Sequence, residues 1–203
     1  MPTDDGSWPI KELTDAQVMR AMAHPVRMKL VELLLVDGPL TATECGARLD
    51  ETPANCSFHL RTLAKHGFVE EAEGGTGRQR PWRAVPQGTN FPSGPSAPPH
   101  LRAAADLLTR TFAERNVSRL YAYLDRMDDY GKEWSDAAML SDLASYLTPE
   151  ELTQLREQLI YLLRPYVPRL ADPASRPEGA RLVTFFLAGF PTEPAAGEGP
   201  DDA

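Results

Sequence analysis

Between Thr52 and Lys65 the chain sets Thr52, Asn55, Ser57, Phe58, Arg61 and Lys65 along the start and outer side of one helical stretch, once Cys56, Leu60 and Leu63 are assigned inward. These residue types suit the edges of a nucleic-acid duplex. An Asn amide can pair bidentately with adenine, and a Phe ring can touch a thymine methyl. Arg61 and Lys65, further along, are better placed for phosphates, and a helix start offers them unpaired N–H groups and a positive dipole end. Arg78 and Arg80 form a second cationic group that would reach the flanking backbone or minor groove. From Thr52 to Arg83 five Lys/Arg meet three Asp/Glu. So small an excess predicts salt-sensitive binding by a dimer and poor binding by a monomer.

Other chemistries find little support. Cys45 and Cys56 cannot form a disulfide framework, and four scattered histidines do not make a zinc finger. Neither thiol has a second soft ligand at chelating spacing, so both read as core residues and no metal is expected. His59 reads as a packing or phosphate-edge residue, and His66 as a cation at a helix C-terminus. Asp125, Asp128, Asp129, Glu133 and Asp136 lie close together but lack the glycine turn and ligand pattern of a calcium loop. There is no glycine-rich phosphate loop, nucleophile elbow or His-Glu-x-x-His pair. No catalysis and no cofactor are expected.

The elements that would hold the first group follow from local signals. Helical periodicity runs from about Thr14 to Ala23. A second helix opens at His24-Pro25 and stops at Asp37-Gly38-Pro39. Thr41 and Glu44 form a capping box for a short helix ending near Leu49, and Thr52-Pro53 starts the next, which ends at Gly67. The period then changes to two, in two short runs about the glycine-rich tip Gly74 to Gly77, which reads as a β-hairpin. Helices, a tight turn between the last two, then a hairpin make a winged helix-turn-helix.

The runs Met22-Ala-His-Pro-Val-Arg-Met-Lys-Leu-Val-Glu-Leu-Leu and Cys56-Ser-Phe-His-Leu-Arg-Thr-Leu-Ala-Lys-His-Gly-Phe-Val69, with Arg78-Gln-Arg80 after them, resemble the ArsR/SmtB family of winged-helix repressors over residues 14–86. The resemblance implies a dimeric DNA-binding regulator whose fourth helix enters the major groove. Metal-sensing members carry a Cys-x-Cys pair where this chain has Thr41 and Thr43, and residues 101–130 hold no histidine for the alternative site on the long helix. The resemblance is therefore to a non-metal-sensing form.

Composition sets the frame. The net charge is −8 over 203 residues, with ten Lys/Arg against twelve Asp/Glu in residues 1–95 and eleven against seventeen thereafter. An anionic partner belongs with the first half. No apolar run approaches the roughly 20 residues of a membrane helix. The acidic start, Met1-Pro2-Thr3-Asp4-Asp5, does not read as a secretory signal, so a cytoplasmic protein without membrane partner is expected.

The sequence divides into a disordered start (1–12), a winged helix-turn-helix domain (13–86), a Pro/Gly/Ser linker (87–99), a C-terminal domain (100–190) and a disordered tail (191–203). The fold class is mainly α with small β, the C-terminal part helical or α+β. That part opens with a helix from about Leu101 to Tyr130, which together with Thr14–Ala23 reads as the dimer interface. A helix capped by Thr148 and Glu151 follows, Arg181–Leu187 reads as a strand, and Trp134–Leu147 fits helix and strand equally. The functional expectation is a homodimeric transcription regulator, a repressor by resemblance, on a palindromic double-stranded DNA operator. Two alternatives stay open: a winged-helix protein-interaction module, and a regulator whose aromatic-rich C-terminal domain takes an unknown apolar small-molecule effector.

Overall fold

A computed structural model describes residues 10–74, 80–94 and 97–192. Strand β1 (Ile10–Glu12) leads into α1 (Ala16–Met22), α2 (Pro25–Asp37), α3 (Ala42–Leu49) and α4 (Pro53–Lys65). Strands β2 (Val69–Glu71), β3 (Trp82–Ala84) and β4 (Gly88–Asn90) follow, then the long α5 (Pro99–Leu124). A 3₁₀ turn at Met127–Tyr130, α6 (Lys132–Ala137), α7 (Pro149–Leu163) and two further 3₁₀ segments complete the regular structure. The protein is mainly helical with small β, as its sequence implies.

Local chemistry sets the helix ends. The Asp15 carboxylate accepts the Gln17 N–H at 2.7 Å, opening α1. Thr41 and Glu44 bond reciprocally across the start of α3, and Thr148 with Glu151 does the same for α7. Helix α4 closes on Gly67, whose φ of +69° suits a residue without Cβ. There the Phe68 N–H reaches the Leu63 carbonyl and the Gly67 N–H reaches Ala64, the paired bonds of a Schellman end.

The core gathers Met19, Met28, Leu30, Leu34, Cys45, Cys56, Leu60 and Leu63 from α1 to α4. Burying each such Leu or Met contributes about 1.5–3 kcal/mol. Leu101, Ala104, Ala105 and Leu108 of α5 belong to the same cluster, so the core runs past the expected domain boundary at residue 99. Helix α1 packs on α5 of its own chain, and α5 still leaves Leu107, Val117 and Tyr121 exposed. Arg119 and Glu32 form an ion pair that ties α5 to α2.

Further readings are corrected or, for Trp134–Leu147, decided. Ile10–Glu12, assigned to a disordered start, pairs in parallel with Gly88–Asn90, assigned to the linker; two chain segments distant in sequence supply each other's ladder. Arg181–Leu187 is not a strand: it pairs with no described strand and has no regular structure. Trp134–Leu147 is helical only to Ala137 and irregular beyond. The expected tail lies outside the described residues from 193 onward. No described helix is long and apolar enough to cross a membrane.

Candidate nucleic-acid interface

The turn between α3 and α4 is short and close-fitting. Asp50 takes a left-handed conformation at φ 55°, and a Cβ on Gly46 would sit 2.6 Å from the Glu51 carbonyl oxygen. Glycine lets the two helices approach here, which fixes the angle at which α4 leaves the core. Cys56, Leu60 and Leu63 hold its inner face. The opposite face is thereby turned outward.

On that face Phe58 is 61% exposed and Arg61 and Lys65 stand in solvent. So large a ring, more than half in solvent beside the buried His59, leaves apolar surface outward on this face. Ser57 lies between them, its Oγ accepting an N–H of Arg61 at 2.8 Å. Thr52 caps the helix, its Oγ1 accepting the Asn55 N–H at 3.2 Å. Since Pro53 has no N–H, Ala54 is left with the open donor of the first turn. Asn55 departs from the simple picture. It is half-buried and its amide donates to Glu51 Oε2 at 2.6 Å.

The wing stands beside this face. Leu40 and Trp82 exchange backbone hydrogen bonds of 3.0 and 2.8 Å, so the hairpin is fastened to the segment before α3. Arg80 lies at the base of the tip and pairs with Glu71 at 2.8 Å; Arg83, on the same hairpin, pairs with Glu70 at 2.8 Å. Exposed pairs of this kind are worth about 0–1 kcal/mol, so an incoming phosphate displaces the carboxylate at small cost. Arg78 lies outside the described residues. Between wing and helices is an open cleft of about 360 Å³ lined by Thr41, Ala42, Thr43, Ser57, Arg61, Glu71, Arg80 and Trp82.

Sequence reasoning placed Ser57, Arg61 and Arg80 on their own elements, and the structure brings all three to this one cleft. It missed that the start of α3 forms the far wall. The capping box marked that helix end, but nothing local told which way it would face. Lys65 lies beyond the cleft, near the end of α4.

Behind the face, His59 is only 5% exposed and its ring stacks on His24 with centroids 4.5 Å apart. Neither buried Nδ1 has a hydrogen-bond partner. Burial pulls both imidazoles below their ordinary value; for His59 the neighbouring His24 and Arg27 add to it, and Glu51 opposes. Cys45 and Cys56 are fully buried, and burial pushes the Cys45 thiol up to about 11. They are packed core thiols in the protonated form.

Residues 22–72 match the family described as a helix-turn-helix domain. The match covers α2, the α3–turn–α4 unit and the first wing strand. This segment is a helix-turn-helix domain. No curated protein matches the chain. Among solved structures it is similar to reduced HlyU from Vibrio cholerae N16961, at 21% identity over 46% of this chain and 83% of that one, with a TM-score of 0.29. It is also similar to NMB1585, a MarR family regulator from Neisseria meningitidis, at 16% identity over 73% and 79%, with a TM-score of 0.30. Both superpose loosely, so the helix-turn-helix assignment stands on the domain match and on the α3–turn–α4 geometry.

Proposed function

We propose that the protein is a cytoplasmic transcription regulator that binds double-stranded DNA as a homodimer, with one α4 entering the major groove at each half of a palindromic operator. The observation that carries this reading is the exposed Phe58–Arg61 face on a helix whose other side is locked in the core. Second helices of this motif lie in the major groove with their early residues on base edges. Thr52, Ser57 and Phe58 then meet bases, and Asn55 does so once its amide leaves Glu51. Arg61, Lys65, Arg78 and Arg80 meet phosphates, which position the helix without reading sequence. Two readers on one two-fold axis would sit about 34 Å apart.

Within this class, the resemblance to ArsR/SmtB repressors favours repression, and Thr41 and Thr43 at the metal-sensor positions favour a non-metal signal. Regulation then acts through the C-terminal segment, by a ligand or partner that prefers one spacing of the two readers over another. Selection of bound duplexes from a random pool tests the reading. Recovery of a palindrome with half-sites one helical turn apart supports it; no enrichment at low salt refutes it.

A further inference from the structure

Asn55 reads adenine only by giving up Glu51. Glu51 Oε2 accepts the Asn55 amide at 2.6 Å, so a turn of that amide toward a base takes the donor away. A half-buried carboxylate that loses its donor is destabilised, and a nearby replacement lowers the cost of reading. Glu51 precedes α4 by two residues, Asn55 lies in its first turn and His59 in its second. The spacing of four sets Asn55 and His59 one above the other along the same side of the helix.

His59 is buried there and stacks on His24, which stands just before Pro25 at the start of α2. Each ring keeps its Nδ1 out of water without a hydrogen bond. An imidazole nitrogen of this kind takes a proton and becomes a charged donor. Burial holds the pair neutral. Among the neighbouring charges, His24 and Arg27 oppose a proton on His59, Arg27 opposes one on His24, and Glu51 favours one on either ring. Arg27 spends its own N–H groups on the Ala21 and Arg20 carbonyls at the end of α1. Phe58, edge-on to His59 with centroids 5.3 Å apart, brings no charge. A carboxylate released by Asn55 tips this balance toward the cation, and the phosphates of a docked duplex act in the same direction.

We propose that Glu51, His59 and His24 are positioning residues for Asn55: as the amide turns to adenine, the Glu51 carboxylate passes to the imidazole pair, which takes up a proton from solvent to hold it. The inference rests on the reading of α4 as a duplex reader and adds what releases its asparagine. Only hydrogen bonds and one proton per subunit change hands. Proton uptake on binding has a definite sign: affinity rises as pH falls, by up to about tenfold per pH unit for each proton taken up, until the free protein is protonated as well.

The test uses the full chain and its selected duplex. Calorimetry near pH 6.5 in two buffers of different protonation enthalpy counts the protons, and fluorescence anisotropy from about pH 8 to about pH 6 gives the affinity profile. Wild type is expected to take up protons and to bind about three- to tenfold more tightly at about pH 6.5 than at about pH 7.5. Glu51→Gln loses the uptake because no carboxylate is there to hold the cation. Asn55→Ala loses it because the carboxylate is with the pair before and after binding. Circular dichroism checks that both variants, changed at half-buried positions, remain folded. Binding by wild type without proton uptake, or uptake that survives in either variant, overturns the inference and leaves the duplex reading standing. No binding by wild type at low salt overturns the duplex reading itself.

Discussion

Every fully buried side chain among the described residues lies between Leu13 and Leu108; from Ala138 to Thr192 none does. The first region closes on itself. Helices α1, α3 and α4 carry side-chain caps, the hairpin is fastened by Leu40 and Trp82, and the outer face of α4 stands in solvent. The second region is rich in Leu, Phe and Tyr and leaves them open. The difference is between a region whose apolar side chains pack within one chain and a region whose apolar side chains do not.

The sharpest way to break this contrast is a matched pair of truncations. Leu60→Ala, at a fully buried site of α4, is expected to cost about 2–5 kcal/mol in urea unfolding. Leu143→Ala, at a site 92% exposed, is expected to stay within about 0.5 kcal/mol of wild type. Equal costs would mean that the second region packs within one chain.

Next in size is Gly46→Ala. The added methyl must push back the Glu51 carbonyl, so a destabilisation of about 1–3 kcal/mol is expected. Because the shift falls on the turn that aims α4, DNA affinity should drop more than stability alone explains. A neutral result would remove the turn from the account.

The smallest effect concerns pH. His24 and His59 are held neutral in the fold below their ordinary value of 6.5. Unfolded chains therefore take up protons first as pH falls. Their contribution is whole above pH 6.5 and declines progressively below it, toward the depressed folded values. Unfolding free energy measured from about pH 8 to about pH 5 should decline through that window, and His59→Gln should flatten the decline. An unchanged slope in the variant would show that other groups carry it.

Much of the reader was legible in the sequence because its determinants are local. The Thr41–Glu44 box, Pro25 and Pro53 at helix starts, and Gly67 at a helix end each name their element within four residues. Ser57, Phe58 and Arg61 followed once Cys56, Leu60 and Leu63 were turned inward. What was not legible depends on partners far away. The β1–β4 pairing joins residues nearly eighty apart, and α5 looked separate because a proline-rich stretch precedes it, yet its first turns complete the core. Arg181–Leu187 has the composition of a strand, and composition cannot say whether a neighbour is present within one chain. Asn55 was read as free to meet a base; Glu51, four residues earlier, holds its amide.

The most direct test of the central claim is the salt dependence of binding to a selected duplex, by fluorescence anisotropy, for wild type and Arg61→Ala. Thermal unfolding of the variant should match wild type, since Arg61 is exposed. The account predicts that log K falls linearly with log salt for wild type. In the variant, affinity is weaker by about tenfold and the slope shallower by about one per subunit, because one phosphate on each half-site is no longer neutralised. Equal slopes and equal affinities, or no binding by wild type at low salt, would contradict it.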